Sequence, residues 1–346
     1  MPATSGPKRP AAGSLMEAVS SRSNLQRALK RVRKNGGSPG IDGMTVDELP
    51  DWLRRHWPRV REELHAGRYR PQPVRRVSIP KPDGGSRELG IPTVLDRLIQ
   101  QALLQVLQPE FDPSFSEHSH GFRPGRRAHD AIREARDRIQ AGNQWVVDVD
   151  IEKFFDRVHH DVLMAKLARR IEDRSVLRLI RRYLDTGVMV NGVVTERYKG
   201  TPQGGPLSPL LANVYLDDID KELERRGHAF VRYADDLRVF VRSERAGMRV
   251  MNSLARLFAK LHLRVNPAKS AVDLAWERPF LGFGFWLKSD GRTRLRISGK
   301  ALDRMKTKVR RITRRNRGQS IETVVADLRT YLPGWKQYFR NSCCLP

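Results

Sequence analysis

The sequence predicts an α+β fold, in which strands and helices are mixed along one chain of 346 residues. Two stretches predict strands: apolar residues alternate from Phe230 to Val241, and a Val-rich run follows Trp145. Segments with the apolar spacing of helices lie before, between and after them, as in "TVLDRLIQQALLQVLQPEF". A chain of this length with 39% hydrophobic residues can bury a large core, and we expect two or three subdomains.

The N-terminal part predicts a tail, two helices and a strand pair. Residues Met1 to Ser14, rich in Pro, Ala, Ser and Gly, predict a disordered tail. Apolar residues from Leu15 to Arg33 predict one basic helix, which ends at "KNGGSPG", and a Trp-containing helix follows near Val46 to Leu64. The segment "VRRVSIPKPDGGSRELGIP" predicts two strands around a Pro-Asp-Gly-Gly turn.

The remaining elements follow the same rules. Helices are predicted at "DVLMAKLARRI", "SVLRLIRRYL", "PLLANVYLDDIDKELERRG" and Ala246 to Leu263, and a strand at "RPFLGFGFW". Asn191-Gly192 predicts a hairpin turn. From Lys288 to Arg340, 16 Lys and Arg stand against four acids, so we expect a separate basic helical module; the alternative is a solvated helix face.

The charge and the cysteines limit the partners and the compartment. The formal charge of +26 predicts a polyanionic partner, with nucleic acid first; the alternative is a ribosomal-type or merely soluble basic protein. No apolar run approaches the roughly 20 residues of a membrane span, so we expect no membrane partner. Cys343 and Cys344 are adjacent, which gives no disulfide framework and fits a reducing cytoplasm.

Two groups of acids interrupt the predicted strands. Asp235 and Asp236 stand between two apolar strand halves, and a buried acid without a partner costs several kcal/mol. Asp148 and Asp150 share one parity on the strand after Trp145. Nucleotidyl transfer commonly uses two magnesium ions about 3.5–4 Å apart, held by such carboxylates. The alternative is an ordinary hairpin with Asp in its turn.

The order of the motifs adds a family resemblance. "VDIEKFFD", "GTPQGGPLSP", "YADD", "NPAKS" and "FLGF" follow one another, after "NGGSPGIDGMTV", "IPKPDGGSRELGIP" and "SEHSHGFRPGRRAHDAI" and before "LRTYLPGWKQYF". In this order they resemble the reverse transcriptases encoded by bacterial group II introns, of the maturase type. The resemblance covers Leu25 to Phe339.

The resemblance implies a right-hand polymerase with fingers, an antiparallel palm sheet and a helical thumb. It divides the chain into a tail (1–14), an N-terminal extension (15–66), fingers and palm (67–287) and a basic thumb or maturase-type region (288–346). The implied activity is RNA-directed synthesis of DNA from an RNA template and a DNA primer, with two Mg²⁺ ions and deoxynucleoside triphosphates. Group II intron RNA is the implied further partner, and promotion of splicing is the second implied activity. The implied compartment is the bacterial cytoplasm.

Site residues carry over by their match to the motifs. Asp150, Asp235 and Asp236 match the catalytic metal-binding acids, and Ile151 would add a backbone carbonyl. Asp148 has no match, and we expect a structural role for it. The residues expected around the nucleotide are Lys81 and Arg87, which would grip the triphosphate, Phe155 as a gate against the ribose 2′-hydroxyl, Gln203 beside Gly204 and Gly205, and Lys269 as a general acid for pyrophosphate.

The sequence also departs from the family. Longer members carry an HNH-type nuclease after the thumb, and the thumb itself usually continues further, so we expect a shortened region without endonuclease activity. We expect His118, His120 and His129 to be core or RNA-contacting residues. Two alternatives stay open: a domesticated reverse transcriptase in defence or repair, and an RNA-binding splicing factor without polymerase activity. The oligomeric state is not predicted.

Overall fold

The computed structural model of the chain describes residues 14–80, 85–190, 193–195, 200 and 204–342. The chain divides into two units, each built from three separate segments. Unit 1 contains the residues up to Ser116, Ile151–Lys221 and Leu257–Arg264; unit 2 contains Glu117–Asp150, Glu222–Arg256 and the residues from Val265 onward.

The elements follow the chain in a mixed order, which confirms the α+β prediction. The helices are α1 (Ser14–Ser20), α2 (Arg22–Asn35), α3 (Leu49–His65), α4 (Val94–Phe111), α5 (Ala128–Gln140), α6 (Phe154–Arg157), α7 (His160–Ala168), α8 (Arg174–Asp185), α9 (Ser208–Arg225), α10 (Glu244–Lys260), α11 (Gly299–Ile312) and α12 (Ile321–Phe339). The strands are β1 (Val74–Pro80), β2 (Ser86–Ile91), β3 (Trp145–Val149), β4 (Val188–Val190), β5 (Val193–Thr195), β6 (Ala229–Tyr233), β7 (Asp236–Val241), β8 (Ala271–Leu274), β9 (Phe283–Leu287) and β10 (Thr293–Ile297). Within these described residues, no helix is both long and apolar enough to cross a membrane.

The N-terminal helix differs from its prediction. The expected single helix from Leu15 to Arg33 is two helices, α1 and α2, separated at Ser21. Ser21 has extended backbone angles, and its hydroxyl accepts a hydrogen bond from the N–H of Asn24 (3.4 Å). A serine in this position caps a new helix start, and the apolar spacing alone did not reveal that break. Of the predicted tail, the structure describes only Ser14, the first residue of α1.

Unit 1 contains a four-stranded sheet in the order β2-β1-β4-β5. The β1–β2 and β4–β5 pairs are antiparallel, as the two hairpin predictions require, while β1 and β4 run parallel. The turn residues Asn191 and Gly192 lie outside the described residues. Helix α4 is buried along most of its length, including Leu98, Ala102 and Leu103, which matches its apolar sequence.

Unit 2 contains the sheet β6-β7-β3-β8, in which every neighbouring pair is antiparallel. A core of aromatic and aliphatic side chains includes Phe240, Phe280, Phe283 and Phe285, and also Phe339 from the end of α12. The β9–β10 hairpin continues from residue 283 to residue 297. Helix α5 and strands β8 and β10 are elements that the sequence patterns did not predict.

One buried carboxylate connects several elements of unit 1. Asp96 in α4 accepts hydrogen bonds from the hydroxyls of Thr93 (2.7 Å), Tyr69 (2.8 Å) and Tyr183 (3.2 Å). The backbone N–H of Gln72 is a fourth donor (3.1 Å). Burial raises the pKa of Asp96, and the hydrogen bonds from Thr93 and Tyr69 oppose that rise. The carboxylate thus links α4 to α8 and to the residues that precede β1.

Replacing Asp96 with Ala should therefore lower the free energy of unfolding by about 3 kcal/mol, because several buried donors lose their acceptor together. Tyr183→Phe removes one of these hydrogen bonds and should cost about 1 kcal/mol. Urea unfolding followed by circular dichroism measures both values. Equal losses in the two variants would show that Asp96 does not connect these elements.

Candidate active site

The predicted acids come together at one end of the sheet in unit 2. Asp150 follows directly after the last residue of β3, and Asp236 is the first residue of β7. The β3–β7 register pairs Val149 with Leu237, so its next step sets Asp150 opposite Asp236. Asp235 lies in the two-residue turn between β6 and β7. Directly opposed residues of antiparallel strands have Cβ atoms about 4.5–5.5 Å apart, which is close enough to share a cation.

The backbone of Asp150 is held from both sides. Its N–H donates to the Oγ of Ser270 (2.9 Å), and its carbonyl accepts from the N–H of Asn266 (2.8 Å). Both partners belong to the "NPAKS" segment, in which the sequence analysis singled out only Lys269. Lys269 is exposed, and its carbonyl accepts from the guanidinium of Arg278 (2.9 Å). Asn266 and Ser270 therefore fix the position of the first acid.

Asp148 has arginine partners. Its carboxylate lies 3.3 Å from Arg238 and 3.1 Å from Arg278. The Arg238 side chain is 4% exposed and also donates to the carbonyls of Arg278 (2.6 Å) and Pro279 (2.7 Å). This pairing agrees with the structural role expected for Asp148 and leaves Asp150 as the acid at the end of the strand.

The electrostatics of Asp236 indicate a need for positive charge. Burial raises the pKa of Asp236 to about 6, Arg238 opposes the rise, and the carboxylates of Asp148, Asp235 and Asp150 add to it. Among the residues that the structure describes, no three His, Cys, Asp or Glu side chains converge into a complete metal centre. Mg²⁺ usually takes one or two protein carboxylates and completes its shell with substrate phosphates and waters. The donors present therefore fit an open magnesium site.

The turn that carries Asp235 is strained and tightly packed. Ala234 has φ 60°, a left-handed conformation that costs a non-glycine residue about 1–2 kcal/mol. Its carbonyl accepts a hydrogen bond from the guanidinium of Arg232 (2.7 Å), a residue 1% exposed. At Gly121, a Cβ atom would lie 2.1 Å from the backbone nitrogen of Ala234. Only glycine permits this approach, so Gly121 and Arg232 fix the turn.

The segment before Gly121 is joined to β6 by backbone hydrogen bonds. The N–H of His120 donates to the carbonyl of Arg232 (2.9 Å), whose own N–H donates to the carbonyl of His118 (2.9 Å). The rings of His118 and His120 both bind Glu134 on α5. Although burial raises the pKa of Glu134, its hydrogen bonds with the two histidines lower it to about 2. These two histidines contact the carboxylate of Glu134, and His129 contacts the carbonyl of Tyr338 (2.6 Å).

In unit 1, two adjacent phenylalanines at the expected sugar gate differ in their exposure. Phe154 is 2% exposed and packs near Tyr215, whereas Phe155 is partly exposed. Ile151 is buried. A Cβ at Gly200, where φ is 93°, would lie 2.9 Å from the carbonyl oxygen of Phe155. The backbone behind Phe155 is thus fixed by a close contact that a larger residue at 200 would disturb.

The glycines of "PQGG" also make close contacts in unit 1. A Cβ at Gly204, where φ is 130°, would lie 2.6 Å from the carbonyl oxygen of Gly90 in β2. A Cβ at Gly205 would lie 2.3 Å from the side-chain oxygen of Gln100 in α4. These contacts connect the expected nucleotide-side motif to α4 and to the strand pair that carries Arg87.

The structure does not describe the side chains of three expected nucleotide-binding residues. Lys81 and Gln203 lie outside the described residues. Arg87 pairs with Ile79 in the β1–β2 ladder, and its side chain lies outside the description. Their assignments stay predictions from the resemblance.

Residues 79–285 match the family described as reverse transcriptase (RNA-dependent DNA polymerase). The chain belongs to this family. Residues 302–345 match the maturase-specific domain of group II introns, which identifies the group II intron-encoded type of reverse transcriptase. The antiparallel sheet with the paired acids is therefore the palm of a right-hand polymerase.

The chain is also similar to several individual proteins. The reverse transcriptase is 32% identical over 278 residues to protein YkfC of Escherichia coli, covering 69% of this chain and 73% of YkfC. It is 42% identical over 195 residues to the group II intron-encoded protein LtrA of Lactococcus lactis, covering 56% of this chain and 32% of LtrA. The matched region thus spans about a third of LtrA. A chain of a Cas6-RT-Cas1–Cas2 complex is similar at a TM-score of 0.44 and 27% identity, covering 71% of this chain and 42% of that one.

Gly121→Ala should lower kcat for deoxynucleotide incorporation at least about tenfold, because the added Cβ would displace the turn that carries Asp235. The affinity for RNA should stay within about twofold of the wild type, since Gly121 contacts the protein. Single-turnover primer extension and fluorescence anisotropy measure the two quantities.

Gly299→Ala is the matched control, because a Cβ there meets no described heavy atom within 4 Å and the backbone needs no left-handed angle. It should behave as the wild type. Unchanged kcat in Gly121→Ala would show that the turn keeps its position without this contact.

Proposed function

We propose that this reverse transcriptase copies an RNA template by extending a DNA primer, with Asp150, Asp235 and Asp236 as its metal-binding catalytic residues. The β3–β7 register carries the proposal, because it sets the first acid opposite the acid pair. The raised pKa of Asp236 supports it, since the fold disfavours that carboxylate's charge unless a cation is near.

Magnesium, when bound, supplies stabilisation of the attacking and leaving oxygens of phosphoryl transfer. The protein's part is positioning. Ser270 and Asn266 hold the Asp150 backbone, and the neighbouring carbonyl of Ile151 is the proposed further ligand. Arg232 and Gly121 hold the turn of Asp235. Such fixed geometry lowers the reorganisation needed when primer and nucleotide meet.

In this proposal, further residues bind the incoming deoxynucleoside triphosphate. Lys81 and Arg87 hold the triphosphate, and Arg87 supplies bidentate donors suited to phosphate oxygens. Gln203 contacts the nucleotide, and Lys269 donates a proton to the departing pyrophosphate. Phe155 lies against the ribose and excludes a 2′-hydroxyl. The support for Phe155 is its partial exposure beside the fully packed Phe154.

The proposed RNA partner is group II intron RNA, bound mainly by the basic residues 288–346 in addition to the template. The maturase-specific match at residues 302–345 and the formal charge of +26 support this partner, and splicing assistance would follow from it. Phosphate contacts make such binding fall steeply with salt. We place the protein in the bacterial cytoplasm, and we retain the division into extension, fingers and palm, and thumb.

Primer extension on an RNA template tests the function. The wild type should incorporate deoxynucleotides in the presence of Mg²⁺, whereas Asp150→Ala and Asp236→Ala should lose incorporation by at least about a thousandfold. RNA affinity should stay within about twofold, because these acids bind no phosphate directly. Mg²⁺ should raise the unfolding temperature of the wild type and not that of the Asp235→Ala, Asp236→Ala double variant.

Asp148→Ala gives a contrast within the same strand. It should reduce the free energy of unfolding by about 3 kcal/mol, because the buried Arg238 loses its nearer carboxylate partner. Asp150→Ala should leave thermal stability nearly unchanged. If Asp150→Ala instead loses RNA binding and stability together with activity, Asp150 is a structural acid and the catalytic assignment is wrong. A wild type that binds RNA but never extends a primer would favour the splicing-factor alternative.

Phe155→Val tests the sugar gate. The smaller side chain should admit ribonucleotides, and the ratio of kcat/KM for deoxynucleotides to that for ribonucleotides should fall by about tenfold or more. Phe154→Leu is the matched control, which should change stability more than sugar preference because Phe154 is buried. An unchanged sugar preference in Phe155→Val would remove the gate assignment.

A further inference from the structure

A cavity in unit 2 lies between α11 and α12, outside the polymerase site proposed above. Its volume is about 750 Å³, and it belongs to the segment that matches the maturase-specific domain. Its lining includes Lys308, Arg311, Ile312, Tyr331, Gly334 and Trp335. A cavity of this size is within the range of small-molecule and nucleotide sites.

Aromatic rings and cations share this lining. Tyr331 and Trp335 are four residues apart on α12, so they lie on one face of the helix, and both are partly buried. Ile312 of α11 is buried, at 4% exposed. Lys308 Nζ lies 6.0 Å from the centroid of the Tyr331 ring, and Arg311 is exposed one turn further along α11. The lining thus combines flat apolar surfaces with positive charge.

Gly334 is the informative residue of this lining. It lies in the interior of α12, where glycine is less stable than alanine because it loses more backbone freedom on folding. Its φ is not positive, so the backbone does not need glycine. A Cβ there would meet no described heavy atom within 4 Å, so packing within the described protein does not need glycine either. The absence of a side chain at Gly334 leaves room in the cavity.

We propose that this cavity binds an unpaired nucleotide of a nucleic-acid strand. The base stacks on the rings of Tyr331 and Trp335, while the phosphate lies at Lys308 and Arg311. Asp327 also lines the cavity, which disfavours a wholly anionic ligand and suits an uncharged base. Bases inside a duplex are already stacked and cannot enter, so the site selects single-stranded or looped segments. The inference rests on the proposed function in one respect, that the chain binds RNA.

The experiment uses the full chain and three fluorescently labelled probes: a single-stranded oligoribonucleotide, the oligodeoxyribonucleotide of the same sequence, and a blunt RNA duplex. Gly334→Leu, which fills the cavity, should weaken single-strand binding about tenfold in anisotropy titrations. Its affinity for the duplex should stay within about twofold of the wild type. Tyr331→Leu should weaken single-strand binding about five- to hundredfold, the range for loss of one stacked base, and Tyr331→Phe should retain it.

Two further variants separate binding from folding. Gly334→Ala should raise the unfolding temperature, because alanine favours the helix, while it narrows the cavity and weakens single-strand binding. Gly299→Leu, at the start of α11 and outside the cavity lining, should bind all three probes as the wild type does. A stabilised helix with weaker binding cannot be explained by partial unfolding.

Selective loss of single-strand affinity supports the cavity site, and the RNA and DNA probes show which strand it takes. Wild-type affinity of Gly334→Leu and Tyr331→Leu for every probe overturns the cavity site and leaves the polymerase proposal intact. An equal loss for the duplex also overturns it, because the residues then act on phosphates generally. If the wild-type chain binds no RNA, the proposed function fails with it.

Discussion

The pairing of β3 with β7 is the constraint on which the rest of unit 2 depends. Its register sets Asp148 opposite Arg238 and, one step past Val149 and Leu237, Asp150 opposite Asp236. A shift of one residue would turn these side chains to the other face of the sheet. The ladder therefore separates the acids by position: Asp148 pairs closely with Arg238 and Arg278, whereas Asp150 and Asp236 lie at the end of the sheet.

The neighbouring segments make that end of the sheet rigid. Ala234 holds a strained conformation, which persists only when its surroundings determine it. Arg232 in β6 and Gly121 in the segment before α5 fix this conformation by their contacts with Ala234. On the other side, Asn266 and Ser270 hold the backbone of Asp150. Because these contacts join segments far apart in the chain, the acids keep their positions only in the folded unit.

Local patterns predicted many of the elements and singled out the acids. The alternation around Asp235 and Asp236 predicted a hairpin, and the structure has β6 and β7 there. Apolar spacing likewise predicted α4. The break at Ser21 was missed because a cap depends on one hydroxyl and changes no periodicity.

The supporting residues were missed because their partners are distant in sequence. Gly121 lies more than a hundred residues from Ala234, and Ser270 is 120 residues from Asp150. No spacing rule links such pairs. Arg232 and Arg238 did carry a signal, since a charged residue between buried strand positions needs a partner. That signal indicates that each arginine has a partner, but only the fold identifies it. The partner is the carbonyl of Ala234 for Arg232 and the carboxylate of Asp148 for Arg238.

Unit 2 contains two opposite accumulations of charge, acidic at the end of the palm sheet and basic along α11. At the palm, burial raises the pKa of Asp236, and the neighbouring carboxylates add to the rise, so a nearby cation would favour the charged form. Along α11, closely spaced Lys and Arg residues repel one another and favour phosphates. Of the residues of α12, all of which the structure describes, only Phe339 is buried, so most of the helix surface stays accessible to a ligand. Under the proposed function, a nucleic acid with its magnesium ions would neutralise both accumulations together, so binding should stabilise the folded unit as well as place the substrate.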